Sequence, residues 1–462
     1  MKPVDSRPAA AEPEAFSICD CDQYALHLAT VSMREQLVLA TEDIHNQFGI
    51  LLLRGGTPLG SHAMQRLQGQ RLNRPLDDVF ELRLTPEPAD LLSLMTDLIA
   101  SEPDMAAISG VLGLQDMTRS LFLQLRAPRV LRQKLAVMQR VLPRVFHRAL
   151  FSAWMASAIA ASRKLGAADI ELIFLAGLLH DASLLHLPPA LSEGRSDITA
   201  ADWAVLRQHP AWSAQVIAQS WADMPPRLAV IVAQHHERND GAGYPDGRQG
   251  EELDPLGGIL GLADMLHALR FEALEKPLAG LADCLPFLQV NRRTWGIENY
   301  RPTARALLAA RSASPTADGA TASGSLQALI DANRSLQVIV AAVPDARVLL
   351  ETLPQDRNAS SLLQMLEELQ RIARAAGLGE DALAAWLQDN LRQGRSDPGI
   401  GDVAVTLREA LWLVRRIDRQ LRELLVELQG TAESVALKDL SLRVSSELTR
   451  AWRRFAPPAS AP

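Results

Sequence analysis

Cysteine is scarce in this 462-residue chain: there are three, Cys19, Cys21 and Cys284. No CxxC pair or ribbon spacing is present, which argues against a structural thiolate zinc site. The three thiols read as free groups in a reducing compartment. No uncharged apolar run reaches the roughly 18 residues that a membrane span needs. The opening MKPVDSRPAAAEPEAF lacks the apolar segment of a secretory signal, so a cytoplasmic protein is expected. Positive charge is short as well. The formal net charge is -7 and the sequence pI is about 5.9, against the cationic surface that DNA or RNA binding requires. Basic residues are mostly Arg, and Lys is rare. A small anionic ligand stays open, because a bound metal supplies positive charge locally.

What is present in quantity is apolar. Hydrophobic residues make up 48% of the chain, enough for packed cores, and the length suggests about three domains. Residues 1–16, rich in Pro, Ala and Glu, read as a disordered tail. Residues 17–80 read as a small domain with short strands. Its β-leaning stretches Gln36–Leu39 and Gly49–Leu53 are followed by Gly55-Gly56. No Lys-Ser/Thr follows these glycines, so they read as a turn and not a phosphate loop. From Pro88 onward the period is helical, as in DLLSLMTDLIA and VLRQKLAVMQRVL. Residues 81–124 form a helical connector on this reading and 125–300 the main helical domain. RSASPTADGATASGS marks a linker, taken as 301–325. Residues 326–455 return to helix, with an amphipathic pair joined at Gly377–Gly379. This last part carries no recognisable chemistry and is expected to pack, dimerise or bind a partner. The fold class is mainly α: a helical bundle with a small N-terminal α+β domain and a C-terminal helical domain.

Of the ten histidines, five stand out within one 90-residue stretch that holds six: His147, His180, His209, His235 and His236. Asp181 and Asp264 belong with them. A lone His in an apolar helix such as LPRVFHRALFSAW is commonly a satisfied core residue. The set is what carries weight. LIFLAGLLHDASLL puts a His and an Asp at the end of an apolar helix, where burying an unpaired carboxylate is costly. A metal removes that cost. IVAQHHERNDGAGYPDG puts two adjacent histidines at the end of another apolar helix. Adjacent helical side chains point about 100° apart, so this pair suits two neighbouring metals better than one. Likewise the His180 imidazole takes one metal while Asp181 bridges to the next. Imidazole plus carboxylate suits iron, manganese, zinc or nickel rather than calcium. Two metals about 3.5–4 Å apart are an arrangement that hydrolyses phosphoesters.

The order His147, His180-Asp181, His209, His235-His236, Asp264 resembles that of the HD-domain phosphohydrolases, with gaps of 33, 29, 26 and 28 residues. Gly243-Tyr244-Pro245, within HHERNDGAGYPDG, resembles the signature of the HD-GYP subgroup. The stretch EDIHNQFGILLLRGGTPL bears a weaker likeness to the small domain often found before HD-GYP domains. The resemblance implies an HD-type helical bundle around a metal centre. It implies hydrolysis of the bacterial second messenger cyclic di-GMP to linear pGpG, to GMP, or to both. The implied cofactors are two divalent ions, iron or manganese. The implied metal ligands are His147, His180, Asp181, His209, His235, His236 and Asp264, with His180 and Asp181 as the catalytic pair. Gly243, Tyr244 and Lys276 are the implied substrate contacts. The GYP loop also implies a signalling partner such as a diguanylate cyclase, and the C-terminal helices a homodimer.

The departures from the family pattern are specific. Where the family reads His-Asp-x-Gly-Lys, this chain has His180-Asp181-Ala182-Ser183-Leu184, so Leu184 replaces the lysine. A family Arg falls at Ala273. A Glu that helps hold a third metal falls at Pro143, so two metals are expected. Arg238, Arg248 and Arg270 read as solvated charges, with compensation for the weakened substrate grip as the alternative. Two other functions stay open: a weak or inactive module that holds metal or nucleotide and signals through partners, and hydrolysis of another cyclic dinucleotide or a nucleotide monophosphate.

Overall fold

The computed structural model describes residues 16–17, 23–35, 38–83, 85–192, 199–239, 241, 243–272, 280–290, 294–311, 323–353, 357–393, 399–428 and 432–455. The tail 1–15, Cys19, Cys21, Ala273 and Lys276 lie outside them.

The N-terminal module is assembled from short pieces. Strand Val38–Ala40 pairs antiparallel with Phe80–Leu82, and Ile44–His45 pairs with Leu51–Leu53. Gly55-Gly56 makes the anticipated turn. Gly56 has φ +78, a backbone angle that favours glycine, and the Gly55 N–H donates to Asp43 Oδ1 at 2.9 Å. A helix, Gln23–Glu35, precedes the strands. Its signal was available: Tyr24, Leu28 and Val31 follow i, i+4, i+7 spacing, and all three are buried.

By internal packing the chain divides into two compact units. One comprises Met1–Met95, Met117–Ser157 and Ala167–His236; the other comprises Thr96–Asp116, Ala158–Gly166 and Glu237–Pro462.

In the first unit the N-terminal module continues into helices Arg129–Val141, Ala167–Leu179, His209–Ser220 and Pro226–Ala233, with most of Pro143–Ser162. The helix Ala167–Leu179 is buried from Ile173 to Leu179. A side chain at Gly177 would put its Cβ 2.4 Å from the Ala153 Cα. Only glycine allows the two helix backbones to come so close.

In the second unit, helix Pro255–His267 carries Asp264. Residues 301–311, included in the expected linker 301–325, are instead part of helix Ile297–Arg311. The physical reason is local: RALLAA is rich in the best helix formers, and Ala306 and Leu307 are buried. Residues 312–322 lie outside the described set. The C-terminal helices Ser323–Glu351, Arg357–Ala376, Asp381–Gln393, Gly399–Glu427 and Ala432–Phe455 share one core that includes Leu336, Leu369, Leu411 and Leu437. Among the described residues no helix is long and apolar enough to cross a membrane.

Candidate metal centre

Three helix ends bring the polar residues of the first unit together. Helix Ala167–Leu179 ends one residue before His180, and a single 3-10 turn, Ala182–His186, follows Asp181. His209 opens helix His209–Ser220, with Pro210 in the first turn where its missing N–H costs nothing. Helix Pro226–Ala233 stops short of His235. The His180-Asp181 turn is fastened to the second of these helices. The Ser183 N–H donates to Ser213 Oγ at 3.1 Å, and Ser183 Oγ donates to the His209 carbonyl at 2.9 Å.

Three of the histidines share one local motif. His180, His209 and His235 each place Nδ1 2.7–2.8 Å from the carbonyl oxygen three residues earlier, on Gly177, Leu206 and Val232 respectively. A carbonyl only accepts, so Nδ1 carries the hydrogen and Nε2 presents its lone pair to the site. This is the orientation that metal-ligating histidines need.

Asp181 sits between two of them. Its Oδ2 lies 3.3 Å from His180 Nε2 and its Oδ1 lies 3.3 Å from His209 Nε2. It is 1% exposed. Burial on its own pushes the Asp181 carboxyl up, and positive charge beside it, carried by His180 and His209 when they are protonated, holds it well below the ordinary carboxylate range. An unprotonated Nε2 and a carboxylate oxygen are both acceptors. Facing one another at this distance, they call for a cation between them.

The donor atoms form two overlapping sets. Ligand atoms of His209, His235 and His236 lie within 4.8 Å of one another, and so do those of His180, Asp181 and His235. His235 belongs to both. Four converging imidazoles and a bridging-capable carboxylate, all buried except the half-buried His236, fit a pair of divalent transition metals. The geometry corrects one expectation. His235 and His236 do not diverge as helical neighbours would. They lie in a turn beyond the helix end, with ring centroids 4.1 Å apart, and a single donor set holds both.

The other sequence-derived residues are placed separately. His147 is half-buried on helix Pro143–Ser162, and Asp264 is buried in the second unit; neither belongs to the two donor sets found among the described residues. Gly243 and Tyr244 are half-buried, with a cis peptide between Tyr244 and Pro245. Two of the three arginines read as solvated are not. Arg238 is 7% exposed, over the Trp295 ring, and Arg270 packs between Glu102 and Asp104 at 3.5 Å from each. Arg248 is half exposed and pairs with Asp246.

Two residues near these motifs escape a reading by motif. Arg148 reaches Asp181 Oδ2 with Nη1 at 3.5 Å. Its only sequence signal is its place beside His147. Glu237, next after His236, is buried and accepts from the backbone N–H groups of Asp246 and Arg248 at 2.8 and 2.9 Å. Burial pushes its carboxyl up, against those N–H groups, which favour the charged form. It holds the end of the GYP loop in place.

The family model for the HD domain matches residues 124–295. Residues 124–295 carry an HD domain. The chain is similar to 3'3'-cGAMP-specific phosphodiesterase 2 of Vibrio cholerae, at 29% identity over 23% of this chain and 20% of the relative. It is similar to a cyclic di-GMP phosphodiesterase of the same organism, at 30% identity over 24% of this chain and 23% of that one. It also resembles the cyclic di-GMP phosphodiesterase response regulator RpfG of Xanthomonas campestris, at 30% identity over 25% and 30% of the two chains. The matched segment thus spans between a fifth and a third of these relatives. Among solved structures, Bd1817, a HDG"Y"P protein from Bdellovibrio bacteriovorus, aligns with 58% of this chain and 95% of its own at 18% identity, with a TM-score of 0.32.

Proposed function

We propose that the chain is a cytoplasmic, metal-dependent phosphodiesterase that opens a 3',5'-phosphodiester of a cyclic dinucleotide, cyclic di-GMP foremost. The observation that carries this reading is the pair of donor sets joined at His235, with Asp181 set between two imidazoles. When bound, two divalent ions, iron or manganese, supply Lewis-acid charge for the phosphate and for acidifying the attacking water. His180, Asp181, His209, His235 and His236 would hold them, and the resemblance adds His147 and Asp264. The chain's own contribution is preorganisation. Gly177, Leu206 and Val232 fix three ring orientations through their carbonyls. Arg148 supplies a protein cation beside Asp181. Glu237 fixes the loop that follows Tyr244. Relatives named for cyclic di-GMP and for 3'3'-cGAMP both support a cyclic dinucleotide as the substrate class.

A second reading, a module that binds metal and nucleotide without turnover, is favoured by one feature. Leu184 stands where the family lysine is expected and is 4% exposed, so that position offers no cation.

The test is anaerobic purification, loading with iron or manganese, and chromatography of products from cyclic di-GMP and 3'3'-cGAMP beside Asp181→Ala. Linear dinucleotide or mononucleotide formed by the wild type alone establishes the enzyme. Metal and nucleotide bound without product establishes the second reading.

A further inference from the structure

Away from the donor sets, the first unit buries a second polar cluster. Lys134 is 1% exposed on helix Arg129–Val141. Its Nζ lies 2.7 Å from Asp77 Oδ2, and the Tyr24 hydroxyl donates to Asp77 Oδ1 at 2.6 Å. The ammonium also sits 3.8 Å from the centre of the Tyr24 ring. Tyr24 and Asp77 both belong to the N-terminal module. The fourth member is His186, whose Nε2 is 3.3 Å from Lys134 Nζ and whose ring lies 5.0 Å from that of Tyr24. An ammonium has no acceptor, so Nε2 of His186 accepts from it.

His186 is the last residue of the 3-10 turn Ala182–His186, and Asp181 is the residue that caps the other end of that turn. The turn is one short piece of backbone, pinned in the middle by Ser183 to the start of the His209 helix. Its far end is held by Lys134. A buried Lys–Asp pair gives little stability over an apolar pair of the same volume. What it gives here is direction: one ammonium geometry satisfies a carboxylate, an aromatic face and an imidazole at once.

We propose that Lys134 is a positioning residue for the metal centre, through which Tyr24 and Asp77 of the N-terminal module set the conformation of the turn carrying Asp181. The inference rests on the metal-binding reading of the site. It makes the N-terminal module part of the apparatus that holds the metal ligands in place.

The test uses the full chain and Mn²⁺ as the probe, with affinity measured by calorimetry and folding followed by circular dichroism. Two variants are compared with the wild type: Tyr24→Phe, which removes one hydroxyl, and the double variant Lys134→Met with Asp77→Asn, which removes both charges at nearly constant volume. A merely structural ion pair predicts that the double variant folds and binds Mn²⁺ as the wild type does. The positioning role predicts a folded protein whose Mn²⁺ affinity falls by about tenfold or more, the range seen when partners behind metal ligands are lost. Weakened affinity in either folded variant supports the inference. Wild-type affinity in every variant that folds overturns it while leaving the site reading intact. A wild type that binds no Mn²⁺ overturns the site reading and this inference with it.

Discussion

The carbonyl oxygen of Gly177 lies 2.8 Å from Nδ1 of His180, on a helix backbone pressed so closely against Ala153 that no side chain fits at position 177. Helix packing and ligand orientation therefore meet in one residue. Replacing Gly177 by Ala would raise helix propensity by about 1 kcal/mol. It would also force a Cβ to within 2.4 Å of a backbone atom, and overpacking of this kind costs roughly 1–3 kcal/mol. The expected result is net destabilisation in urea titrations, together with weaker metal binding. A variant as stable as the wild type would show that the two helices are not in such close contact.

Arg148 stands beside Asp181 with its side chain 23% exposed. Its ion pair contributes little to stability, under about 1 kcal/mol at a partly solvated site. Its effect is expected on substrate. Arg148→Ala should raise KM for a cyclic dinucleotide about tenfold, equivalent to roughly 1.4 kcal/mol, without weakening metal binding. An unchanged KM would remove Arg148 from substrate recognition.

Metal should act as a stabilising ligand. At 100 times its Kd, Mn²⁺ is expected to stabilise the fold by about 2.7 kcal/mol, seen as a rise in the thermal midpoint that a chelator reverses. Asp181→Asn keeps the shape and removes the charge, and should abolish that rise. The same rise in this variant would show that metal binds elsewhere.

Cys284 is fully buried, and burial pushes its thiol up, with the charge of neighbouring Asp283 adding to the effect. In the native protein it should resist maleimide at pH 8 and react only in denaturant. Peptide mass spectrometry reads this at Cys284 alone. Rapid native labelling would mean that the core around it opens.

Glu237→Gln tests the loop. The amide keeps one acceptor oxygen where the carboxylate uses two, toward the Asp246 and Arg248 N–H groups. A loss of about 1–3 kcal/mol is the usual cost of such a change at a buried site. It should appear as faster hydrogen exchange at residues 246–248 while the Mn²⁺ affinity stays unchanged. Unaltered exchange there would mean that Glu237 does not hold the loop.

Much of this protein is legible along the chain. The apolar period marks the helices, and the ordered His and Asp positions point to a metal site before any coordinates are seen. The readings that changed are those where local and tertiary rules compete. Residues 301–311 are grouped with the low-apolar stretch RSASPTADGATASGS as linker on the sequence reading, yet they belong to helix Ile297–Arg311 around buried Leu307. His235 and His236 look divergent under helical geometry, yet the helix ends at Ala233 and the turn brings the rings together. Arg238 and Arg270 look solvated until Trp295, Glu102 and Asp104 are seen to enclose them.

The sequence by itself determined the helical class, the residue types of the donor set and the spacing that presents them, because period and side-chain chemistry are local properties. Only the tertiary structure decided which nitrogen of each imidazole faces the site, that Arg148 stands beside Asp181, and that Lys134 joins Tyr24 and Asp77 to the turn behind it. The first depends on where each helix ends, and the other two on contacts between residues 33 to 110 positions apart, such as Arg148 and Asp181 or Tyr24 and Lys134, which no local pattern in the chain encodes.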